Sequence, residues 1–270
     1  MPTAIDLIAL DLDGTLLAPD ETISPRNRAA IGEALAAGIR VVLVTGRGVD
    51  TPIRVSRELG LNLPVICCHG ALTKDFGANR TLVHIPVPLV HAKPMLELAD
   101  REGLAVAAYI DEAFYRLAGT PIVMDDMRGA GWHEVPSLVA VMTEAPTFIR
   151  FLGTESVRRM EASFGDLPLS FRYETWGELV ECAVLSREAS KRNALAKLCA
   201  DFQVSPDRVM AVGDSRNDVP MLRWAKIGVA MANALPEVRQ SVRYVTTSNA
   251  EDGVALAIER FCLPAKKKSA

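Results

Sequence analysis

The sequence predicts an α/β protein in which both ends of the chain form one doubly wound parallel sheet and the middle forms a separate α+β domain. Apolar, strand-like runs alternate with helical patterns from residue 5 to residue 68, and the alternation returns after residue 190. Between these stretches, short apolar runs are separated by turn residues, which is typical of hairpins. We therefore predict a discontinuous core of residues 1–85 and 187–270, with an inserted domain of residues 86–186.

The first part of the core begins with a buried strand. Ile5–Leu10 is apolar apart from Asp6, as expected for a strand that helices cover on both faces. Ser24 and Pro25 are typical of a helix start and Gly38 of a helix end, so a helix is predicted between them. The next predicted elements are a strand at Ile39–Val44, a helix at Asp50–Leu59 and a strand at Pro64–Cys68.

The middle of the chain begins with a predicted hairpin, because Gly77 and Asn79 favour a turn between two short apolar runs. The elements predicted there are strands at Ala71–Asp75 and Thr81–Ile85, a helix at Leu89–Glu102, strands at Leu104–Ile110 and Ala113–Leu117, a stretch to Pro146 that glycine and proline interrupt, a strand at Thr147–Leu152, a helix at Glu155–Phe164, and strands at Leu169–Glu174 and Glu178–Leu185.

The βα alternation then resumes and completes the core. Its predicted elements are a helix at Lys191–Asp201, a strand at Arg208–Val212, a helix at Val219–Trp224, a strand at Ile227–Ala230, a helix at Leu235–Ser241, a strand at Tyr244–Thr246 and a helix at Gly253–Phe261. Residues 266–270 are predicted to be a solvated tail.

Composition narrows the class of protein. The 270 residues carry a net charge of −3 and are 49% hydrophobic, which argues against a broadly basic nucleic-acid surface and allows a large core. No apolar run approaches the roughly 20 residues of a membrane span, and the start lacks the pattern of a signal peptide. We expect a cytoplasmic protein with no nucleic-acid or membrane partner. The five cysteines do not indicate a disulfide framework.

Two acidic clusters follow strands that are about two hundred residues apart. Asp11 and Asp13 stand in DLDGT after the first strand, and Asp214 and Asp218 stand in GDSRND after the strand at Arg208–Val212. Ligands of open α/β sheets bind at the carboxyl ends of the strands, where the strand order reverses. Four carboxylates gathered there would repel one another unless they shared a cation, and such oxygen ligands suit Mg²⁺. The clusters therefore predict a metal and a phosphate.

The first cluster has the groups that a phosphoryl transfer needs. Asp11, if it has an ordinary pKa, is ionised at neutral pH and can attack phosphorus to give an aspartyl-phosphate. Asp13 would then give a proton to the leaving alcohol and take one from water. The alternative is that Asp-x-Asp-Gly-Thr is only a turn rich in capping residues.

Other strand and helix ends supply candidate phosphate-binding groups. Thr45 and Gly46 end the second strand, where a hydroxyl and backbone amides can bind phosphoryl oxygens. Lys191 starts a helix, where a cation opposes the helix dipole, and neutralising a phosphoryl group would explain its place. Asn217 can donate to phosphate. The alternatives are a simple turn at Thr45-Gly46 and a solvated lysine at Lys191.

The order DLDGT, TGR, SK and GDSRND resembles the four motifs of the haloacid dehalogenase (HAD) phosphohydrolase superfamily. The large insert, MANA at 231–234 and TTSNAEDGVA at 246–255 resemble its Cof-type subgroup. The resemblance implies a Rossmann-like core under a mobile cap formed by the insert. The roles it implies are Asp11 as nucleophile and Mg²⁺ ligand, Asp13 as general acid/base and Mg²⁺ ligand through its carbonyl, Thr45 and Lys191 on the phosphoryl oxygens, Asp214 as a further Mg²⁺ ligand, and Asn217 and Asp218 in support.

Three positions depart from the subgroup. His69 stands where an asparagine is common, Arg192 replaces a glycine after the third-motif lysine, and Ala232 replaces a glycine before Asn233. His69 and Arg192 either reshape the pocket or are neutral surface changes. The cap should set specificity, and its candidate residues are Tyr109, Tyr115, Arg150, Arg172, Tyr173, Trp176 and Glu181. The alternative is that most of them belong to the core or the surface of the cap.

The sequence as a whole predicts a Mg²⁺-dependent phosphatase that hydrolyses a small phosphate ester, such as a sugar phosphate, through an aspartyl-phosphate. Asp13 favours phosphoryl transfer over carbon–halogen cleavage, since the resemblance implies that dehalogenases lack an acid at this place. Two alternatives remain open: a phosphomutase or phosphotransferase with the same chemistry, and a non-catalytic protein that binds a phosphorylated metabolite.

Overall fold

The computed structural model describes residues 5–120, 132–176 and 179–264, so the predicted tail at 266–270 lies outside the described residues. The chain divides into two compact units, Met1–Leu82 with Ser190–Ala270, and Val83–Ala189. The domain limits predicted from the sequence, after residues 85 and 186, stay a prediction. Among the described residues, no helix has both the length and the apolar character that a membrane span requires.

The strands and helices alternate along the chain much as predicted. In chain order they are β1 (Leu7–Leu10), α1 (Pro25–Ala36), β2 (Arg40–Leu43), α2 (Asp50–Glu58), β3 (Val65–Cys67), β4 (Leu72–Asp75), β5 (Arg80–His84), α3 (Leu89–Glu102), β6 (Val106–Ile110), β7 (Ala113–Leu117), β8 (Trp132–Val135), β9 (Phe148–Leu152), α4 (Thr154–Phe164), β10 (Leu169–Trp176), β11 (Leu179–Ser186), α5 (Lys191–Asp201), β12 (Val209–Gly213), α6 (Val219–Trp224), β13 (Ile227–Ala230), α7 (Pro236–Gln240), β14 (Tyr244–Val245) and α8 (Gly253–Phe261).

The first unit is built on a parallel sheet with the strand order β14-β13-β12-β1-β2. A parallel bridge between Val44, which follows β2, and Ile66, in the middle of β3, places β3 beside β2. From β1 the chain first builds outward through β2, and after the inserted unit it builds outward on the other side from β12. The strand order therefore reverses between β1 and β12, which is where ligands of such sheets bind.

Both faces of this sheet are buried, which explains the lack of polar alternation in β1. Ile8 and Leu10 point into the apolar layer that includes residues of α1 and α8, whereas Leu7 and Ala9 point into the layer that includes residues of α5. Successive side chains of a strand point to opposite faces, so a strand covered on both sides has to be apolar throughout. At the start of α1, Ser24 accepts a hydrogen bond from the Asn27 amide at 3.1 Å, as the sequence predicts.

The second unit is a six-stranded sheet with the order β10-β11-β9-β6-β7-β8, antiparallel except for the pair β7 and β8. Apolar residues of α3 and α4, among them Met95 and Met160, pack on one face against Ile149 and Phe151. The strand β8 is not among the predicted elements. It pairs with β7, and Trp132 stacks on Phe114. The predicted fold class, a Rossmann-like doubly wound core with an inserted α+β domain, is confirmed.

The residues proposed to set specificity have different surroundings in the inserted unit. Tyr109 is buried and stacks on Phe148, so it belongs to the packed interior. Arg150 and Glu181 form an ion pair of 3.5 Å, and Glu181 is buried. Tyr173 is exposed. Their role in specificity stays a prediction.

Candidate active site

Asp11 and Asp214 follow β1 and β12, the two neighbouring strands between which the order reverses. The Asp11 amide donates a hydrogen bond to the Val212 carbonyl at 3.1 Å, which holds the loop after β1 against β12. Gly14 has φ +70°, and a Cβ atom at this residue would overlap the Asp214 carboxylate. Thr15 Oγ1 donates to Asp214 Oδ1 at 3.1 Å. The turn after Asp11 therefore fixes the Asp214 carboxylate.

Three carboxylates, those of Asp11, Asp214 and Asp218, meet at this edge. One oxygen from each lies within 4.8 Å of the other two. Such a set of hard oxygen donors matches the ligands that Mg²⁺ and other divalent cations prefer. Three of the four predicted acidic residues thus come together through their side chains.

Lys191 supplies positive charge to the same cluster. Its Nζ donates to Asp11 Oδ1 at 2.6 Å and to Asp218 Oδ1 at 2.7 Å. Lys191 is the first residue of α5, whose start is capped by the Ser190 hydroxyl, which accepts from the Asn193 amide. Lys191 is 2% exposed and Asp218 is 0% exposed. A lysine at an unfavourable end of a helix is therefore held by two buried carboxylates.

Burial and mutual repulsion change the acidity of these groups. Burial raises the pKa of Asp11 well above its ordinary value and the charge of Asp218 adds to this, whereas Lys191 acts in the opposite direction. Burial and then Asp218 likewise raise the pKa of Asp214 to about 6. Burial would lower the pKa of Lys191, but the charges of Asp11 and Asp218 outweigh it and raise that pKa. The cluster thus has more negative charge than one ammonium balances.

This result differs from the sequence-based expectation of an ordinary pKa for Asp11. The expectation considered the residue as solvated, whereas the structure buries it among other carboxylates. A bound cation would favour the ionised carboxylates, so the donor set fits a divalent metal on electrostatic grounds as well.

Asp218 has both oxygens engaged by the protein. Besides Lys191 on Oδ1, its Oδ2 accepts from the Asp214 amide at 3.2 Å, the Ser215 amide at 3.0 Å and the Ser215 hydroxyl at 2.8 Å. A Cβ atom at Gly213 would collide with the Asp218 side chain. Asp218 therefore shapes the loop that carries Asp214 and holds the ammonium of Lys191.

Asp13 has a different environment from the other three aspartates. Arg47 Nε donates to both Asp13 carboxylate oxygens at 3.0 and 2.9 Å, and Arg47 Nη2 donates to Asp13 and, at 2.8 Å, to Glu21. The Asp13 carboxylate is not part of the three-carboxylate group. The sequence did not predict the contact with Arg47, although the residue stands in the TGR motif and could have been considered.

Besides Lys191 at the start of α5, the predicted phosphate-binding residues lie in two loops of the first unit. Thr45 is buried, and its Oγ1 accepts from the Arg47 amide at 3.1 Å. Gly46 packs so closely on His69 that a Cβ atom at residue 46 would overlap the imidazole. The Asn217 amide Nδ2 lies 3.2 Å from His69 Nδ1. Gly46 and Asn217 are thus brought to the His69 side chain, which the sequence had marked only as a departure from the subgroup.

Two asparagines that the sequence left without a role support the turn after Asp11. Asn233 Nδ2 donates to the Gly14 carbonyl at 2.8 Å, and Asn249 Nδ2 donates to the Leu17 carbonyl at 2.8 Å. The Asn249 amide also donates to Asn233 Oδ1 at 3.0 Å. The motifs in which they stand, MANA and TTSNAEDGVA, are the sequence signal that could have pointed to these two asparagines.

Arg192, one of the departures from the subgroup, is exposed. Its Nη1 donates to Asn193 Oδ1 at 3.0 Å. His69, by contrast, is 4% exposed, so it is not a surface change.

The sequence matches known proteins over most of its length. The profile of the haloacid dehalogenase-like hydrolase family matches residues 8–258. The pyridoxal phosphate phosphatase of Escherichia coli K12 is 30% identical over 92% of this chain and 96% of its own. The 5-amino-6-(5-phospho-D-ribitylamino)uracil phosphatase of Bacillus subtilis 168 is 31% identical over 96% of both chains.

Solved structures give the same result for the fold. A haloacid dehalogenase-like hydrolase from Bacteroides thetaiotaomicron superposes with a TM-score of 0.84 and 24% identity, over 95% of this chain and 99% of the other. A haloacid dehalogenase-like hydrolase from Bacillus subtilis gives 0.80 at 25% identity, over 95% and 99% of the two chains.

Proposed function

Because the chain belongs to the haloacid dehalogenase-like hydrolase family, we propose that it is a Mg²⁺-dependent phosphatase that hydrolyses small phosphorylated metabolites through an aspartyl-phosphate on Asp11. The predicted enzyme class, a phosphatase of the HAD superfamily, is confirmed by the relatives. What we propose beyond this class is the dependence on Mg²⁺, the aspartyl-phosphate intermediate, the roles of the individual residues and the kind of substrate.

The observation that supports the proposal best is the contact of Lys191 with Asp11. The ammonium lies 2.6 Å from the Asp11 carboxylate, at the sheet edge where ligands bind. An ammonium beside a carboxylate can bind the oxygens of a phosphoryl group while the carboxylate faces its phosphorus. Burial keeps water from the pair, which strengthens the interaction.

The proposed reaction has two displacements at phosphorus. An Asp11 carboxylate oxygen forms a bond to phosphorus as the ester oxygen leaves, and Asp13 gives that oxygen its proton. Water then attacks the aspartyl-phosphate, gives a proton back to Asp13 and releases phosphate and free Asp11. In the structure Asp13 is paired with Arg47, so this role requires the pair to open.

Asp11, Asp214 and the backbone carbonyl of Asp13 would hold the Mg²⁺. Asp218 stays in the predicted set, but its oxygens already accept four hydrogen bonds, so we propose that it acts by orienting Lys191 and the loop of Asp214. When bound, the cation would neutralise charge on the phosphoryl group. Thr45, Gly46, Lys191 and Asn217 would bind its oxygens.

Two relatives indicate which substrates to test. One is named for pyridoxal phosphate and the other for a phosphoribitylaminouracil, and both names describe small phosphate monoesters. We propose a substrate of the same kind, a sugar phosphate or a phosphate ester of similar size.

Phosphate release from p-nitrophenyl phosphate, with and without Mg²⁺, tests the proposal. We expect turnover only with the metal, and Asp11→Asn should reduce it by about 10³-fold or more because the amide is a poor nucleophile. Asp207→Asn, at an exposed aspartate, is the matched control. Equal turnover by wild type and Asp11→Asn would exclude Asp11 as the nucleophile. With a sugar phosphate as the substrate instead, an isomeric phosphate in place of free phosphate would indicate a phosphomutase.

A further inference from the structure

His69 is a buried residue with a strained backbone conformation beside the candidate site. It has φ +55°, and the preceding Cys68 has φ +51°. Residues other than glycine rarely adopt this region, and two in succession occur only where the surroundings enforce them. His69 is also 4% exposed, so its imidazole is enclosed by the protein.

Backbone hydrogen bonds tie His69 to the loop after β2. The His69 amide donates to the Thr45 carbonyl at 3.0 Å, and the Cys68 amide donates to the Arg47 carbonyl at 2.9 Å. Gly46 lies between these two acceptors. The left-handed conformation therefore places the imidazole directly against Gly46, where a Cβ atom would overlap the ring.

The His69 imidazole also contacts Asn217, which lies in the loop after β12. The amide nitrogen of Asn217 lies 3.2 Å from His69 Nδ1. If His69 Nδ1 carries no proton, Asn217 donates to it; if Nδ1 is protonated, a rotated amide accepts from it. In both cases one hydrogen bond links the imidazole to Asn217.

We propose that His69 is a positioning residue, whose imidazole joins Gly46 to Asn217 and so sets the spacing of two groups that bind the phosphoryl oxygens. This rests on the proposed function, in which Gly46 and Asn217 have that role. His69 acts through its Nδ1 contact and its packing, so its loss should weaken the binding of phosphate. The hydrogen bonds that hold the carboxylates of Asp11, Asp214 and Asp218 come from Lys191 and from residues of their own loops. We therefore expect the binding of Mg²⁺ to be retained.

Three substitutions separate the Nδ1 contact from packing. His69→Asn puts an amide group where Nδ1 lies, His69→Gln puts it nearer to Nε2, and His69→Leu removes the polar contact. With inorganic phosphate as competitive inhibitor of p-nitrophenyl phosphate hydrolysis, we expect His69→Leu and His69→Gln to raise both the inhibition constant and KM by about five- to tenfold. His69→Asn should stay within about twofold of wild type.

Arg192→Ala is the matched control, since Arg192 is the exposed departure from the same subgroup. We expect it to change neither constant. The Mg²⁺ concentration for half-maximal activity should be the same in all folded variants. If His69→Leu does not fold, the comparison of His69→Asn with His69→Gln still tests the proposal.

The proposal is overturned if the Gln variant binds phosphate as tightly as the Asn variant, or if folded His69→Leu binds phosphate as tightly as wild type. Direct titration of inorganic phosphate by calorimetry, with Mg²⁺ present, keeps this outcome separate from a failure of the proposed function. A chain without turnover would contradict the phosphatase mechanism, yet its phosphate affinity would still report on His69.

Discussion

The ammonium of Lys191 is shared between Asp11 and Asp218, at distances of 2.6 and 2.7 Å. Asp218 has no exposed surface and stands four residues after Asp214, so it contributes negative charge that the ammonium must balance. The pair connects the loop after β1, the start of α5 and the loop after β12. The charge balance of the site therefore depends on one lysine.

Removing that charge should destabilise the protein in a pH-dependent way. Lys191→Met leaves the buried carboxylates without their ammonium, and we expect it to lower the free energy of unfolding by about 3–5 kcal/mol at pH 7.5. The pKa values of Asp11 and Asp214 are already raised in the folded state, so lower pH should protonate them and reduce the loss.

Urea denaturation of metal-free protein at pH 7.5 and pH 5.5 checks this. Lys197→Met is the control, because Lys197 lies on the same helix but is 56% exposed and pairs with Asp201 at the surface. It should cost under about 0.5 kcal/mol at both pH values. An equal loss for Lys191→Met at both pH values would argue against the electrostatic cause.

Asp214→Asn should stabilise the metal-free protein while removing its response to Mg²⁺. The pKa of Asp214 rises from 3.8 to about 6 on folding, so the folded state binds more protons and stability falls as pH rises through that window. Well above pH 6 the Asp214 carboxylate is ionised, and its full destabilising effect on the folded state is present. An uncharged amide should recover about 1–2 kcal/mol at pH 7.5 and little below pH 4.

Thermal denaturation with EDTA and with excess Mg²⁺ measures both effects. Wild type should gain stability with the metal, because a ligand of the folded state shifts the equilibrium, and Asp214→Asn should not. Asp207→Asn, at an aspartate that is 79% exposed, should behave as wild type. A normal Mg²⁺ response in Asp214→Asn would remove this residue from the metal site.

Gly14→Ala should damage the site far more than a glycine with a similar backbone elsewhere. Gly14 and Gly38 have φ +70° and +82°, but a Cβ atom at Gly14 overlaps the Asp214 carboxylate, whereas at Gly38 it meets nothing within 4 Å. Gly38→Ala should therefore show only the backbone cost of about 1 kcal/mol, with normal kcat/KM. Gly14→Ala should lower kcat/KM by about 10²-fold. Equal effects of Gly14→Ala and Gly38→Ala on kcat/KM would mean that the positive φ, and not the overlap with Asp214, causes the loss.

Asn233→Ala tests the support that the turn receives from the loop after β13. The variant removes the hydrogen bond to the Gly14 carbonyl and the acceptor of the Asn249 amide. We expect about 1–2 kcal/mol lower stability and a higher Mg²⁺ requirement for activity. The control is Asn79→Ala, in the turn between β4 and β5, which we expect to leave the Mg²⁺ requirement unchanged. An unchanged Mg²⁺ dependence in Asn233→Ala would contradict the supporting role.

The sequence predicted most of the core because local signals agree with its fold. Ser24 and Pro25 start α1 as predicted, and α5, α6 and α8 have the predicted bounds. The strand β8 escaped prediction because glycine and proline interrupt the sequence around it. Its pairing with β7 and the stacking of Trp132 on Phe114 depend on contacts between separate strands.

The sequence by itself determined the order of βα units, the family and the carboxylates that follow β1 and β12, since a buried strand and its terminal turn are written in consecutive residues. The tertiary structure decided that Asp13 pairs with Arg47, that Lys191 is shared with Asp218, and that His69 lies between Gly46 and Asn217. These contacts join residues from different loops, and their geometry follows from side-chain direction and packing, which spacing along the chain does not specify.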